Sequence, residues 1–157
     1  MTGRLLLLTA LLTLGCMTLF LPSAKAGEDP PAAEIRRDLE RTLDLWHERS
    51  FSELYDRVIG NGGKTKEYFI SHLAAAPRTP ACCWEKLQEV RVSVKDERQA
   101  TLQGKFGFDT GAGGEFMTRK VKLEKDDGIW KMKMADLLSM AGKGMKVRKG
   151  KKKVHKE

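Results

Sequence analysis

Apolar residues recur along this chain with two different periods, and the change falls near Cys83. Before it, Ile35, Leu39, Leu43 and Trp46, with Leu45 beside them, keep helical spacing. Arg36, Arg37, Glu40, Arg41, Asp44 and Glu48 fill the opposite side, so the stretch predicts a surface helix with one buried stripe. Pro30-Pro31 suits its first turn, where a missing N–H costs nothing. A second helix opens at Phe51-Ser52-Glu53, with Ser50 or Ser52 as its cap. Leu54, Tyr55, Val58 and Ile59 form its apolar side, and Gly60-Asn61-Gly62-Gly63 ends it. Lys64 to Ala76 predicts a third helix, with Phe69, Leu73 and Ala76 on one side and Tyr68 and His72 on another. Pro77 and Pro80 close the helical half.

After Cys83 the period becomes two. Val90, Val92 and Val94 share a face in the first predicted strand, and Asp96-Glu97 turns. Ala100, Leu102, Gly104, Phe106 and Phe108 alternate with Thr101, Gln103 and Lys105 in the second. Gly111-Ala112-Gly113-Gly114 makes a flexible tip. The stretch 115–135 then reads as a hairpin, because Asp127-Gly128 between two alternating runs is a strong turn signal. Met117, Arg119, Val121 and Leu123 share a face of its first arm, and Trp130, Met132 and Met134 a face of its second. Asp136-Leu137-Leu138 begins a short terminal helix. Helices followed by antiparallel strands predict an α+β domain, with three N-terminal helices on one face of a curved four-stranded sheet.

The ends carry different signals. Arg4, an apolar run from Leu5 to Leu21, Pro22, and the small residues Ala24 and Ala26 read as a secretory signal peptide over 1–26, cleaved after Ala26. A retained membrane anchor and a lipid-modified Cys16 are the alternatives. The folded domain is then 27–142, and 143–157 is a lysine-rich tail whose composition predicts disorder. The net charge of +8 belongs to that tail and the signal, since acids and bases nearly cancel over 27–142. A basic balance over the whole chain therefore implies nothing about nucleic acid for the body.

The phrase Leu43-Asp44-Leu45-Trp46-His47-Glu48-Arg49-Ser50-Phe51-Ser52-Glu53-Leu54-Tyr55 resembles a helix junction of the nuclear transport factor 2-like superfamily. The ending Leu123-Glu124-Lys125-Asp126-Asp127-Gly128-Ile129-Trp130-Lys131-Met132 resembles its last hairpin. The resemblance spans roughly 32–140. It implies three helices, a bent antiparallel sheet wrapped into a cone with a pocket at its wide end, and a homodimer packed through sheet faces. Some members are isomerases or cyclases whose pockets pair an acidic base with a tyrosine or a protonated acid. Here the first helix has no tyrosine on its apolar face. Glu85 is the only acid in the segment before the first strand.

Three pocket candidates follow. Arg119 lies in phase with apolar neighbours, and a buried arginine must pair or line a wet site. His72 is a candidate because histidine is the residue type suited to acid–base work near neutrality, and Glu85 is the sole acid near the isomerase base position. Cys82 and Cys83 are adjacent and could bond to each other, bond between chains, or stay reduced. No further Cys or Cys/His pair stands at metal-ligand spacing, so neither a metal nor a cofactor is expected. Trp46, Trp84 and Trp130 fall in different elements and read as core residues. In the tail, Lys146, Arg148, Lys149, Lys151, Lys152 and Lys153 are candidates for contact with an anionic membrane or envelope surface. No aromatic residue interleaves them, so no specific nucleic acid is expected. The sequence thus predicts an exported, non-catalytic binding or accessory protein of the bacterial periplasm, cell envelope or medium. The alternative is a pocket enzyme of isomerase, cyclase or hydratase type.

Overall fold

Two prolines start α1 (Pro30–His47), and its buried stripe is Ile35, Leu39, Thr42, Leu43, Leu45 and Trp46. Thr42 is tolerated there because its Oγ1 donates to the Asp38 carbonyl at 2.9 Å. The structure is a computed structural model and describes residues 29–142. The signal-peptide reading of 1–26, the Cys16 alternative and the tail from 143 fall largely or wholly outside those residues. Among the described residues, no helix is long and apolar enough to cross a membrane.

The second helix is shorter than its apolar pattern predicts. α2 runs Phe51–Asp56, and Val58–Ile59 forms a strand, β1, instead of a last helical turn. β1 pairs in parallel with β6 (Ile129–Lys133), matching Val58 to Met132 and Ile59 to Lys133. Two β-branched residues that fit a pleated surface have taken the sheet edge. α3 (Lys66–Ala74) is capped by Thr65, whose side chain accepts from the Tyr68 N–H at 3.2 Å. The proline-bounded segment after it is also a strand, β2 (Arg78–Pro80).

β3 (Leu87–Asp96), β4 (Gln99–Thr110) and β5 (Gly113–Asp126) complete the sheet, and α4 (Met134–Ala141) follows β6. Among the described residues, the three N-terminal helices and the terminal one make four, while the expected four antiparallel strands are six in one mixed, open sheet. The four longer strands lie where alternation put them, except that Met134, expected in the last one, opens α4. The two short ones escaped it because two or three residues carry no readable period.

β4 is the spine. It pairs with β5 along one edge, and with β3 and then β2 along the other. Registers fix the two faces. Ala100, Leu102, Gly104, Phe106 and Phe108 lie opposite Leu123, Val121, Arg119, Met117 and Glu115. That face meets the helices, and Leu102, Phe106, Phe108, Val121, Leu123, Trp130 and Met132 join α1's stripe in the core. Trp46 packs on Phe108 with ring centroids 5.7 Å apart. One carboxylate links α1, β6 and the residue before β1 at the core's edge: Asp38 accepts from the Trp130 N–H at 3.0 Å and from Arg57 at 3.5 Å. The result is a single α+β domain with helices on one side of the sheet.

Candidate binding face

Among the described residues, no α-helix covers the other side of the sheet. Its residues are the odd positions of β4 and the even positions of β5, and they are polar by the same alternation that makes their neighbours core. Register lines them up in rows across β3, β4 and β5. One row is Arg91, Gln103 and Lys120, and the next is Ser93, Thr101 and Lys122. A third is Gln88, Lys105 and Thr118. Arg91, Gln103, Lys120 and Lys122 are exposed.

Acids on this face are few: Asp109, at the end beside Gly114, is exposed and forms no ion pair among the described residues, and three others are engaged. Glu89 lies 3.7 Å from Lys105, Glu124 3.6 Å from Lys133, and Asp126 2.8 Å from Lys131. Among the described residues, Arg91, Lys120 and Lys122 form no ion pair. Their charge is therefore open to a partner. Two shallow hollows lie among these rows. One, of about 180 Å³, is bordered by Lys95, Thr101 and Lys122, and the other, of about 120 Å³, by Arg91, Gln103 and Thr118. A β-bulge separates Gln88 from Arg91, and Glu89 in it has φ 52°. Such a bulge re-aims the strand locally.

One end of the face is aromatic. A 3₁₀ turn, Cys83–Lys86, connects β2 to β3 and folds over β4 at Gly107. A Cβ on Gly107 would collide with the Glu85 carbonyl oxygen and lie 3.1 Å from the Phe116 ring. Only glycine lets the turn settle so close. Phe116, opposite Gly107, is 48% exposed and carries Lys105 at 4.7 Å from its ring centroid. Trp84, in the same turn, is 72% exposed, contrary to the core reading that holds for Trp46 and Trp130. It follows no helix or strand period, so alternation could not place it. Cys82 and Cys83 are joined to each other by a disulfide beside it, and both are exposed. Lys86 anchors the turn to α1 through Asp44.

The three pocket candidates occupy separate places. The turn carrying Glu85 lies on the outer face. Arg119 belongs by register to the helix-side face but sits opposite Gly104, where it is exposed and its Nε lies 2.9 Å from Met117 Sδ. His72 is half-buried on α3 and stacks on Tyr68 at 5.8 Å between ring centroids. A cleft on the helix side, of about 650 Å³, lies between the start of α1 and the β3–β4 tip. Its walls include Glu34, Val94, Lys125 and Trp130, and none of the three candidates. Lys125 donates to both Glu34 oxygens at 2.9 and 3.0 Å, which holds the Glu34 carboxyl below its ordinary value. Among the described residues, no group of three His, Cys, Asp or Glu side chains is arranged to hold a metal ion. No family model matches the chain, and no curated protein is significantly similar to it. Its class is defined by geometry alone: an α+β domain with one face of its sheet covered and the other open and basic.

Proposed function

We propose that the protein is an exported binding module of the nuclear transport factor 2-like kind that works, without catalysis, at anionic surfaces of the cell envelope. The observation that carries this reading is the open sheet face. It presents Arg91, Lys120 and Lys122 with no acid paired to them among the described residues, although the body as a whole is nearly neutral. Surface charge of one sign, gathered on one face, steers and orients an oppositely charged partner. The two sequence phrases supply the superfamily reading, and an α+β domain with helices on one side of its sheet is compatible with it. The apolar start over Leu5–Leu21 and the lysines from 143 onward supply export and a second, tail-borne contact with anionic surfaces.

The experiment is sedimentation with vesicles rich in anionic lipid at low ionic strength, comparing the exported protein with a variant lacking 143–157. Deletion abolishes sedimentation, and raising the salt does the same to the intact chain. Binding that survives the deletion overturns the role of the tail. The mass of the exported protein tests export itself: a chain beginning at Gly27 is expected, and an intact N-terminus rejects the signal peptide.

A further inference from the structure

We infer that the open sheet face is a binding site for a linear anionic polysaccharide. Arg91, Lys120 and Lys122 hold its acidic groups, Gln103 bonds its hydroxyls, and Trp84 with Phe116 stacks a sugar ring at one end. The inference rests on the reading of the protein as a surface-binding module and names what the sheet face takes.

Three features select this chemistry. The first is charge: the cations without acidic partners come from β3 and β5, the strands on either side of β4, and flank the amide of Gln103. A chain lying across these rows meets alternating charge and hydrogen-bonding groups. The second is the content of the middle of the face. Gln103, Thr101, Thr118 and Ser93 offer donors and acceptors suited to hydroxyl groups. A sheet that reads single-stranded nucleic acid instead places aromatic rings in its centre, where successive bases stack. Here the middle has none. A lipid surface, in turn, is gripped by apolar side chains that enter it, and the rows supply none.

The third feature is the aromatic end. Phe116 lies opposite Gly107, and Trp84 precedes Glu85, whose carbonyl crosses Gly107, so both belong to the same end of the face. The flat C–H face of a sugar ring packs on an exposed indole while its hydroxyls reach the polar rows. A second copy of this chain fits poorly. Packed through this face, two copies would set Arg91, Lys120 and Lys122 against their own images, and opposed like charges disfavour the contact.

The test uses the exported full-length protein and polygalacturonate, a linear polymer of a uronic acid, with dextran as the neutral control. Binding to polygalacturonate and not to dextran is expected. It should weaken about tenfold or more in the triple variant Arg91→Gln, Lys120→Gln, Lys122→Gln, and lose much of its salt dependence. Trp84→Ala should weaken it several-fold while leaving the salt dependence unchanged, since an exposed stacking contact carries no charge. All four positions are exposed, and thermal unfolding by circular dichroism confirms that the variants fold. Deleting 143–157 should leave polygalacturonate binding standing even where vesicle sedimentation is lost, which separates this site from the tail. Unchanged affinity in the triple variant overturns the proposal. Tighter binding of an oligothymidylate assigns the face to nucleic acid. Vesicle binding that depends on the three cations assigns it to lipid. A dimer that the triple variant dissolves assigns it to a second copy.

Discussion

Gly107 shows how much a single missing atom decides. Its hydrogen faces the carbonyl of Glu85, and a methyl group there has no room unless backbone moves. Gly107→Ala is expected to cost about 1–3 kcal/mol, as overpacking does, and to lift the turn that carries Trp84. Gly111→Ala, at a position with nothing within 4 Å, is the control and should be silent in urea unfolding. Equal stability of the two variants would show that the turn does not rest on β4. A second residue-scale prediction concerns Glu34. Lys125 lowers its carboxyl below the ordinary value of 4.5. A carboxyl depressed in the folded state adds stability that is present above the unfolded value and is lost as pH falls through the folded one. Lys125→Met should therefore lower stability near neutrality, and the gap to the parent should shrink as pH falls below 4.5. A gap that stays constant through the acid range, measured by denaturant unfolding at stepped pH, would refute the pairing. The pair is about 30% exposed, so solvent screening keeps its contribution small.

At the scale of elements, Asp38 joins α1, β6 and the segment leading into β1. Asp38→Ala leaves the Trp130 N–H and Arg57 without their acceptor, and is expected to cost about 2–4 kcal/mol. Asp38→Asn keeps an acceptor and should cost less. If both unfold at the parent's denaturant midpoint, the link holds nothing. This junction also marks where reading the sequence stopped working. The α1 stripe, the alternation of β4 and the Asp127-Gly128 turn are local signals, and each element lies where its signal put it. β1 and β2 have no such signal. Val58–Ile59 continue an apolar helical side, and only Met132 and Lys133, far along the chain, draw them into a sheet. Arg78–Pro80 are strand because β4 is long enough to pair two segments on one edge.

For the molecule as a whole, charge was the quantity that averaging concealed. Over 27–142 the signs nearly cancel, yet acids such as Asp38, Glu40 and Asp44 lie on α1 while Arg91, Lys120 and Lys122 lie on the far side of the sheet. Each of those cations was visible as the polar half of an alternating strand. Which side the helices would cover, and how three strands would align their cations in rows, depends on register, which a single strand does not state. Arg119 shows the converse. It is in phase with the buried residues of its strand and is exposed nonetheless. The same open sheet has a consequence for crowding. β3 pairs with β4 on one side only, so much of its other edge is a template to which a neighbour's strand could add. The bulge at Glu89 breaks the regular spacing of that edge, and the charged Arg91 and Lys95 border it. Many copies ranged side by side along one polymer would therefore remain separate molecules and would not fuse into a continuous sheet.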